Sequence, residues 1–165
     1  MSNAIKMCYN DVMRTLTVKL YGSDDFGYLS DMINIAGIIY NTALTIIQDH
    51  YTETGKLLDK YELQKQLRNL RNADENRHWR YVGSQAVQDI TDRIYRAYRL
   101  FFTNKKKGVK CSPPRHRKVK KYRSVTYKQA GYKVLPGGRI SINGHIYRYW
   151  DSYDGLLERI KIKTV

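Results

Sequence analysis

The apolar residues of this chain change their period twice, and that change limits the folds open to it. In TLTVKLYG, from Thr15 to Gly22, Leu16, Val18 and Leu20 alternate with Thr17, Lys19 and Tyr21. A period of two is the mark of a strand with one face buried. GSDD then interrupts the pattern and supplies residues suited to starting a helix. From Phe26 to about Tyr51 the spacing becomes three and four: Leu29, Met32, Ile33, Ala36, Ile39, Tyr40, Ala43, Leu44 and Ile47 form one stripe of a helix packed on one side. Glu53 to Gly55 ends it, with Gly55 suited to the left-handed position beyond the last turn. A second helix follows, with Leu58, Leu63, Leu67 and Leu70 as its apolar side and Asp59 as its N-cap. NADENRHW reads as a polar loop. A third helix opens at Ser84, where SQAVQDITDRIYRAYRLFF places Val87, Ile90, Ile94, Ala97 and Phe101 on one stripe. Arg93, Arg96 and Arg99 make a neighbouring face, suited to solvent or to nucleic acid.

Period two returns only after a segment unlike either neighbour. From Thr103 to Lys128 there are eleven Lys/Arg and no acidic residue, and Pro113 and Pro114 make their stretch extended rather than helical. Beyond it come the short strand-like runs RSVTYK, YKVL, RISING, HIYRYW and ERIKIKTV. Pro136–Gly138 and Asn143–Gly144 are turn signals between them, and the second is the strongest hairpin signal in the chain. The order is one strand, three helices, a basic linker, then four or five strands. It predicts an α+β fold, a small β-barrel or curled sheet with a helical insertion, in which the first strand pairs with the last ones. A chain of 165 residues has room for one domain, or two small ones sharing a core.

The charge follows the same division. Residues 1–100 carry 13 Lys/Arg against 12 Asp/Glu, whereas residues 101–165 carry 17 against 3, giving a net charge of +15. Such a charge bears on partners rather than on fold. The basic residues alternate with Tyr, Val and Ile instead of forming a uniform block. Tyr122, Tyr127, Tyr132, Tyr147, Tyr149 and Trp150 are interleaved with Lys121, Arg123, Lys128, Lys133 and Arg148, downstream of Arg115, Arg117, Lys118 and Lys120. Cations neutralise phosphates and aromatic rings stack on bases, so nucleic acid is favoured over an anionic membrane or an acidic protein. Strand alternation would turn only some of these tyrosines outward, the others filling a core.

Little in the sequence looks catalytic. Cys8 and Cys111 stand alone, which does not support a zinc ribbon and fits a reducing compartment. His50, His78, His116 and His145 lie at no metal-ligand spacing from one another or from a cysteine. Among the late acidic residues, Asp151 and Asp154 flank SY beside Gly155 and read as a turn. A two-metal nuclease needs carboxylates that hold its cations about 4 Å apart, and no such set is evident. A phosphate-binding glycine loop and a nucleophile elbow are missing too. No enzymatic activity, catalytic residue, cofactor or metal is expected of this chain. Its N-terminal stretch has no apolar run suited to a signal peptide, and the window MINIAGIIYNTALTII is too short and too amphipathic to span a bilayer. The expectation is a cytoplasmic protein without a membrane partner.

Several of these segments, taken in order, are familiar. AGIIYNTAL, TGKLLDKYELQKQL, SQAVQDITDRIYRAYRLFF and PPRHRKVKKYRSVTYKQAGYKV resemble the N-terminal half of TnpB/OrfB proteins, the RNA-guided nucleases of insertion sequences and relatives of compact type V CRISPR effectors. The likeness runs from about Thr15 to Val165. It implies a wedge-type β-barrel from residues 1–22 and 116–165, a three-helix recognition lobe over 23–104 and a basic linker over 105–115. It also implies partners: a guide RNA and the target duplex DNA beside a short motif, most sequence recognition being left to guide–target pairing. The family's motif-reading positions correspond here to Lys60 and Gln64, Ser84 and Gln88, and Tyr127. Gln64 and Gln88 would offer amides to base edges, while Ser84 reads equally as an N-cap. The family's RuvC nuclease domain and its zinc-binding insertion would follow IKIKTV and are not among these residues. The resemblance therefore leaves several readings: a short binder of guide RNA, half of a split effector completed in trans by a RuvC-bearing chain, or a fragment of a longer protein; a second copy of itself is a further candidate partner. An RNA-independent DNA-binding regulator is a further alternative, and a basic RNA chaperone a more distant one.

Overall fold

The computed structural model describes residues 4–9, 14–21, 26–128, 130–159 and 162–165. The chain is α+β and divides into two compact units, Met1–Ser30 with Thr126–Val165, and Asp31–Val125. The divisions fall after Ser30 and Val125 rather than at 22/23 and 115/116. The basic segment therefore groups with the helices and not with the strands that follow it.

The first unit is built on a six-stranded sheet of order β3-β4-β5-β2-β1-β6, antiparallel at each pairing. Its strands are β1 (Ala4–Tyr9), β2 (Arg14–Tyr21), β3 (Tyr132–Leu135), β4 (Arg139–Ile142), β5 (His145–Tyr149) and β6 (Ile162–Thr164). The alternation in β2 is realised: Leu16, Val18 and Leu20 are buried, and Thr17, Lys19 and Tyr21 face solvent. The expected return of this strand to the later ones is made through β5, with Leu20 opposite Tyr149 and Tyr21 opposite Arg148. Asn143 (φ 49°) and Gly144 (φ 88°) close the β4–β5 hairpin, both in the left-handed region that a tight primed turn demands. Asp151 makes the expected turn, accepting from the Tyr153 N–H at 2.9 Å and the Gly155 N–H at 2.7 Å.

Three expectations in this unit change. β1 was not evident in the sequence, yet it forms six cross-strand pairs with β2. RSVTYK is not a strand: residues 122–127 run outside any ladder except where Tyr127 and Val165 exchange backbone hydrogen bonds of 2.6 and 2.8 Å. ERIKIKTV is not one strand either, since a short helix α4 (Leu156–Arg159) precedes β6. The expected break at GSDD lies outside the described residues.

In the second unit, α1 (Phe26–Thr54) begins in the sheet unit and continues here, where Met32, Ile35, Ala36, Gly37, Ile39, Tyr40, Ala43, Leu44 and Ile47 are buried. It is rich in β-branched residues, so packing rather than intrinsic propensity keeps it helical. Thr45, Thr52 and Thr54 each turn a hydroxyl back to the carbonyl four residues earlier. At 29 residues α1 is longer than its apolar window suggested and is long and apolar enough to cross a membrane, but half of its most apolar window is buried within the protein. Gly55 (φ 69°) ends it with an N–H bonded to the Tyr51 carbonyl at 2.9 Å.

Helix α2 (Lys60–Asn72) is capped by Asp59, whose carboxylate accepts from the N–H groups of Tyr61 and Glu62. NADENRHW is not a loop: residues Asp74–Tyr81 form a 3-10 helix, ordered by the buried Trp79. Helix α3 (Ser84–Lys106) starts at the expected residue, but Gly83 is its N-cap and Ser84 its first helical residue. Its buried face is Ala86, Asp89, Ile90, Thr91, Ile94 and Tyr98, rotated from the expected stripe, so Val87, Ala97 and Phe101 are only half-buried.

Candidate nucleic-acid interface

The basic segment has almost no regular structure of its own, yet side chains of α1 and α3 hold it. Beyond the end of α3 at Lys106, its one helical turn is Val119–Lys121. The Asn41 side chain donates to the Arg117 carbonyl at 2.8 Å and accepts from the Arg117 N–H at 2.9 Å. These are the two bonds that a neighbouring strand would supply. One turn further along α1, Thr45 Oγ1 lies 3.0 Å from His116 Nε2. One turn the other way, Gly37 lets the chain approach: a Cβ there would stand 3.0 Å from Tyr122 Cβ. Gly37, Asn41 and Thr45 thus form a row at intervals of four, along which the segment runs.

Tyr122 fixes the far end. Its ring is 5% exposed, tilted against Tyr40 with centroids 5.7 Å apart. Burial pushes its phenol pKa up, and the nearby Arg93 guanidinium partly opposes this. Arg93 then ties down Ser124, donating to its carbonyl at 3.3 Å and to its hydroxyl at 3.1 Å. The same guanidinium sits 2.5 Å from the buried carboxylate of Asp89, with Arg96 3.8 Å away on the other oxygen.

With the backbone held, the cations stand outside. Arg115, Arg117, Lys118, Lys120, Lys121 and Arg123 are all exposed, and the Arg117 guanidinium lies 5.3 Å over the Tyr40 ring. The helical unit as a whole carries 20 Lys/Arg against 9 Asp/Glu. Six cations thus project from a segment whose backbone is held by α1 and α3.

The positions expected to read a duplex motif meet on α2 and α3. Lys60 Nζ bonds Asp92 at 3.1 Å, and Gln64 Nε2 donates to Thr91 Oγ1 at 2.8 Å. Thr91 in turn donates to the Gln88 carbonyl at 2.8 Å. Ser84, Gln88 and Asp92 follow one another at intervals of four, with Ser84 and Gln88 exposed. Four of the five expected positions therefore share one face of this helix pair, although Lys60 and Gln64 already have protein partners.

Three residues expected to touch nucleic acid are placed otherwise. Tyr122 is a core residue whose ring wedges the segment against Gly37. Arg93 is half-buried and committed to Asp89 and Ser124. Tyr127, in the sheet unit, is 2% exposed, with its hydroxyl accepting from Asn143 Nδ2 at 2.6 Å and its ring against Gly131. A tyrosine ring gains more from filling a core than from standing in water, and the Asp89 carboxylate, once buried, needs the Arg93 guanidinium beside it. Lys128 is half-buried beside Tyr127, while Arg96 remains exposed. The sequence reading missed Gly37, Asn41, Thr45 and Ser124. The signal for the first three was a line of small and polar residues at every fourth position beside the apolar stripe of α1.

Among the described residues no group of three or more His, Cys, Asp or Glu side chains is placed to hold a metal ion. No family model matches this chain, and no curated protein matches it.

Proposed function

We propose that this chain is a non-catalytic nucleic-acid-binding protein whose helical unit grips a phosphate backbone through the anchored segment from Arg115 to Arg123. In this reading it acts as the guide-RNA- and target-motif-binding half of a TnpB-like RNA-guided effector. The sheet unit stands for the wedge barrel, and the helical unit for the recognition lobe. The segment holds a structured guide RNA, while Gln88 and Ser84 face the target-adjacent duplex. Any strand cleavage is supplied by a RuvC-bearing chain in trans. The reading is carried by one observation: six exposed cations on a stretch whose backbone is fixed by Asn41, Tyr122 and Arg93. A merely solvated basic tail has no need of such anchors.

The test is the salt dependence of RNA binding. Replacing Lys118, Lys120 and Lys121 with Ala is expected to weaken binding of a structured RNA and to lower the magnitude of the slope of log K against log salt by about 0.7–0.9 for each phosphate no longer neutralised. An unchanged slope removes the segment from the interface. The alternative is an RNA-independent DNA-binding regulator, favoured by the exposed Ser84–Gln88 row at the start of a helix. Tight duplex binding by RNA-free protein, with no RNA enriched on purification, would establish it.

A further inference from the structure

The sheet unit carries a second surface that the reading above does not use. Four residues lie directly opposite one another across four strands: Leu135 on β3, Arg139 on β4, Arg148 on β5 and Tyr21 on β2. Arg139, Arg148 and Tyr21 of this row are exposed. Two guanidinium-bearing residues therefore stand in register on neighbouring strands, a pairing that destabilises a sheet by itself. Among the described residues neither arginine has a carboxylate within ion-pair distance, and Arg139 Nε donates only to the neutral Pro136 carbonyl at 3.0 Å. At the end of the row Trp150 meets Tyr21 edge to face, with centroids 6.0 Å apart and planes at 64°. Both rings are open to solvent, Trp150 at 66% and Tyr21 at 43%. The Trp150 backbone N–H is fixed to the Lys19 carbonyl at 2.8 Å, so this aromatic pair is held on β2 and does not trail from a loop.

An uncompensated pair of like charges calls for an anion, and fixed, exposed aromatic faces call for a planar apolar group. Single-stranded nucleic acid supplies both, phosphates for Arg139 and Arg148 and unstacked bases for Trp150 and Tyr21. Duplex does not, because its base faces are already covered. We infer that this outer sheet face is a stacking platform for single-stranded nucleic acid. The platform rests on the sheet unit alone and stands or falls separately from the basic segment of the helical unit.

The chain contains its own reporter. It has two tryptophans, Trp79 buried in the helical unit and Trp150 exposed on this face. Titrating the whole chain with a twelve-nucleotide oligo(U) or oligo(dT) is expected to quench the Trp150 emission saturably and shield it from acrylamide, while a duplex of equal length does neither. Quenching is expected to persist when Lys118, Lys120 and Lys121 are Ala, which separates this surface from the helical one. Trp150→Ala should weaken oligonucleotide binding about 5- to 150-fold, the range expected for removing one base stack, and Trp150→Phe should restore part of it. Equal action of the two oligomers assigns base and phosphate contacts alone, and a preference for oligo(U) adds a 2′-hydroxyl contact. Both support the platform. Unchanged Trp150 emission at saturating oligonucleotide overturns it, as does Trp150→Ala binding within twofold of the parent. So does a dimer on size exclusion that Trp150→Ala dissolves while oligonucleotide leaves it intact, since the face then meets a second copy.

Discussion

Asn41 does with one side chain what a strand does with its backbone. Its amide bonds both the backbone N–H and the backbone carbonyl of Arg117, which holds that residue against α1. Removing two such bonds raises the local opening equilibrium with little effect on the core, because Asn41 is only half-buried and is not one of the buried residues of α1. Asn41→Ala is therefore expected to keep the helical content and to speed trypsin cleavage at Arg117 and Lys118 about 5- to 100-fold, read by mass spectrometry of the early fragments. Cleavage at the parent rate would mean the clamp contributes nothing. None of this could be read from the identity of residue 41 alone. Asparagine on a helix is ordinarily a neutral surface choice, and only the register of 37, 41 and 45 against 116, 117 and 122 gives it work.

Among the elements, legibility depended on whether a segment's pattern and its burial share a cause. Helices α1, α2 and α3, strand β2 and the β4–β5 hairpin were legible because one face of each packs on a core and the sequence repeats accordingly. Helix α2 also carries its own start signal, so Asp59→Ala should cost about 1 kcal/mol of stability and Asp59→Asn very little, measured by thermal or chemical unfolding. No loss for Asp59→Ala would mean the cap is idle. Strand β1 was not legible because its pairing with β2 follows from sheet membership and not from a clear alternation of its own. RSVTYK was misread for the opposite reason. Its alternation is real, but it reflects separate anchors, Tyr122 in one core and Tyr127 in another, with Ser124 tied to α3 between them. The 3-10 helix at Asp74–Tyr81 depends on burying Trp79, which no periodicity announces. The candidate site was legible as a charge run. What the run could not reveal is which candidate residues are spent internally, because that depends on the burial of Asp89 beside Arg93 and on Gly37, far from Tyr122 in sequence.

For the whole molecule, the buried tyrosines bear on stability at alkaline pH. Burial raises the pKa of Tyr95, Tyr98, Tyr122, Tyr132 and Tyr149 above the ordinary phenol value. Below about pH 10 these phenols are neutral in folded and unfolded chain alike, and their shifts cost nothing. As pH rises past that value the unfolded chain loses protons that the folded chain keeps, so stability falls. Denaturant midpoints are expected to hold steady up to about pH 9.5 and to decline above pH 10, with tyrosinate absorbance at 295 nm rising along the unfolding curve. A midpoint flat through pH 11 would contradict the burial described. Both units contribute to this dependence, since three of the five phenols belong to the helices and their basic segment and two to the sheet.

Between Arg117, clasped by Asn41, and Tyr122, wedged at Gly37, the chain is tethered at both ends, and this makes the interval a ruler. Lys118, Val119, Lys120 and Lys121 span a gap of set length, tightened by one 3-10 turn with a Lys121 N–H to Lys118 carbonyl bond of 2.8 Å. Exchanging those residues for one another alters where charge sits but leaves the span as it is. Adding or removing one residue cannot be absorbed between two fixed posts, and it must either unseat an anchor or throw a loop outward. The tolerance of this stretch should therefore be permissive towards spelling and strict towards length.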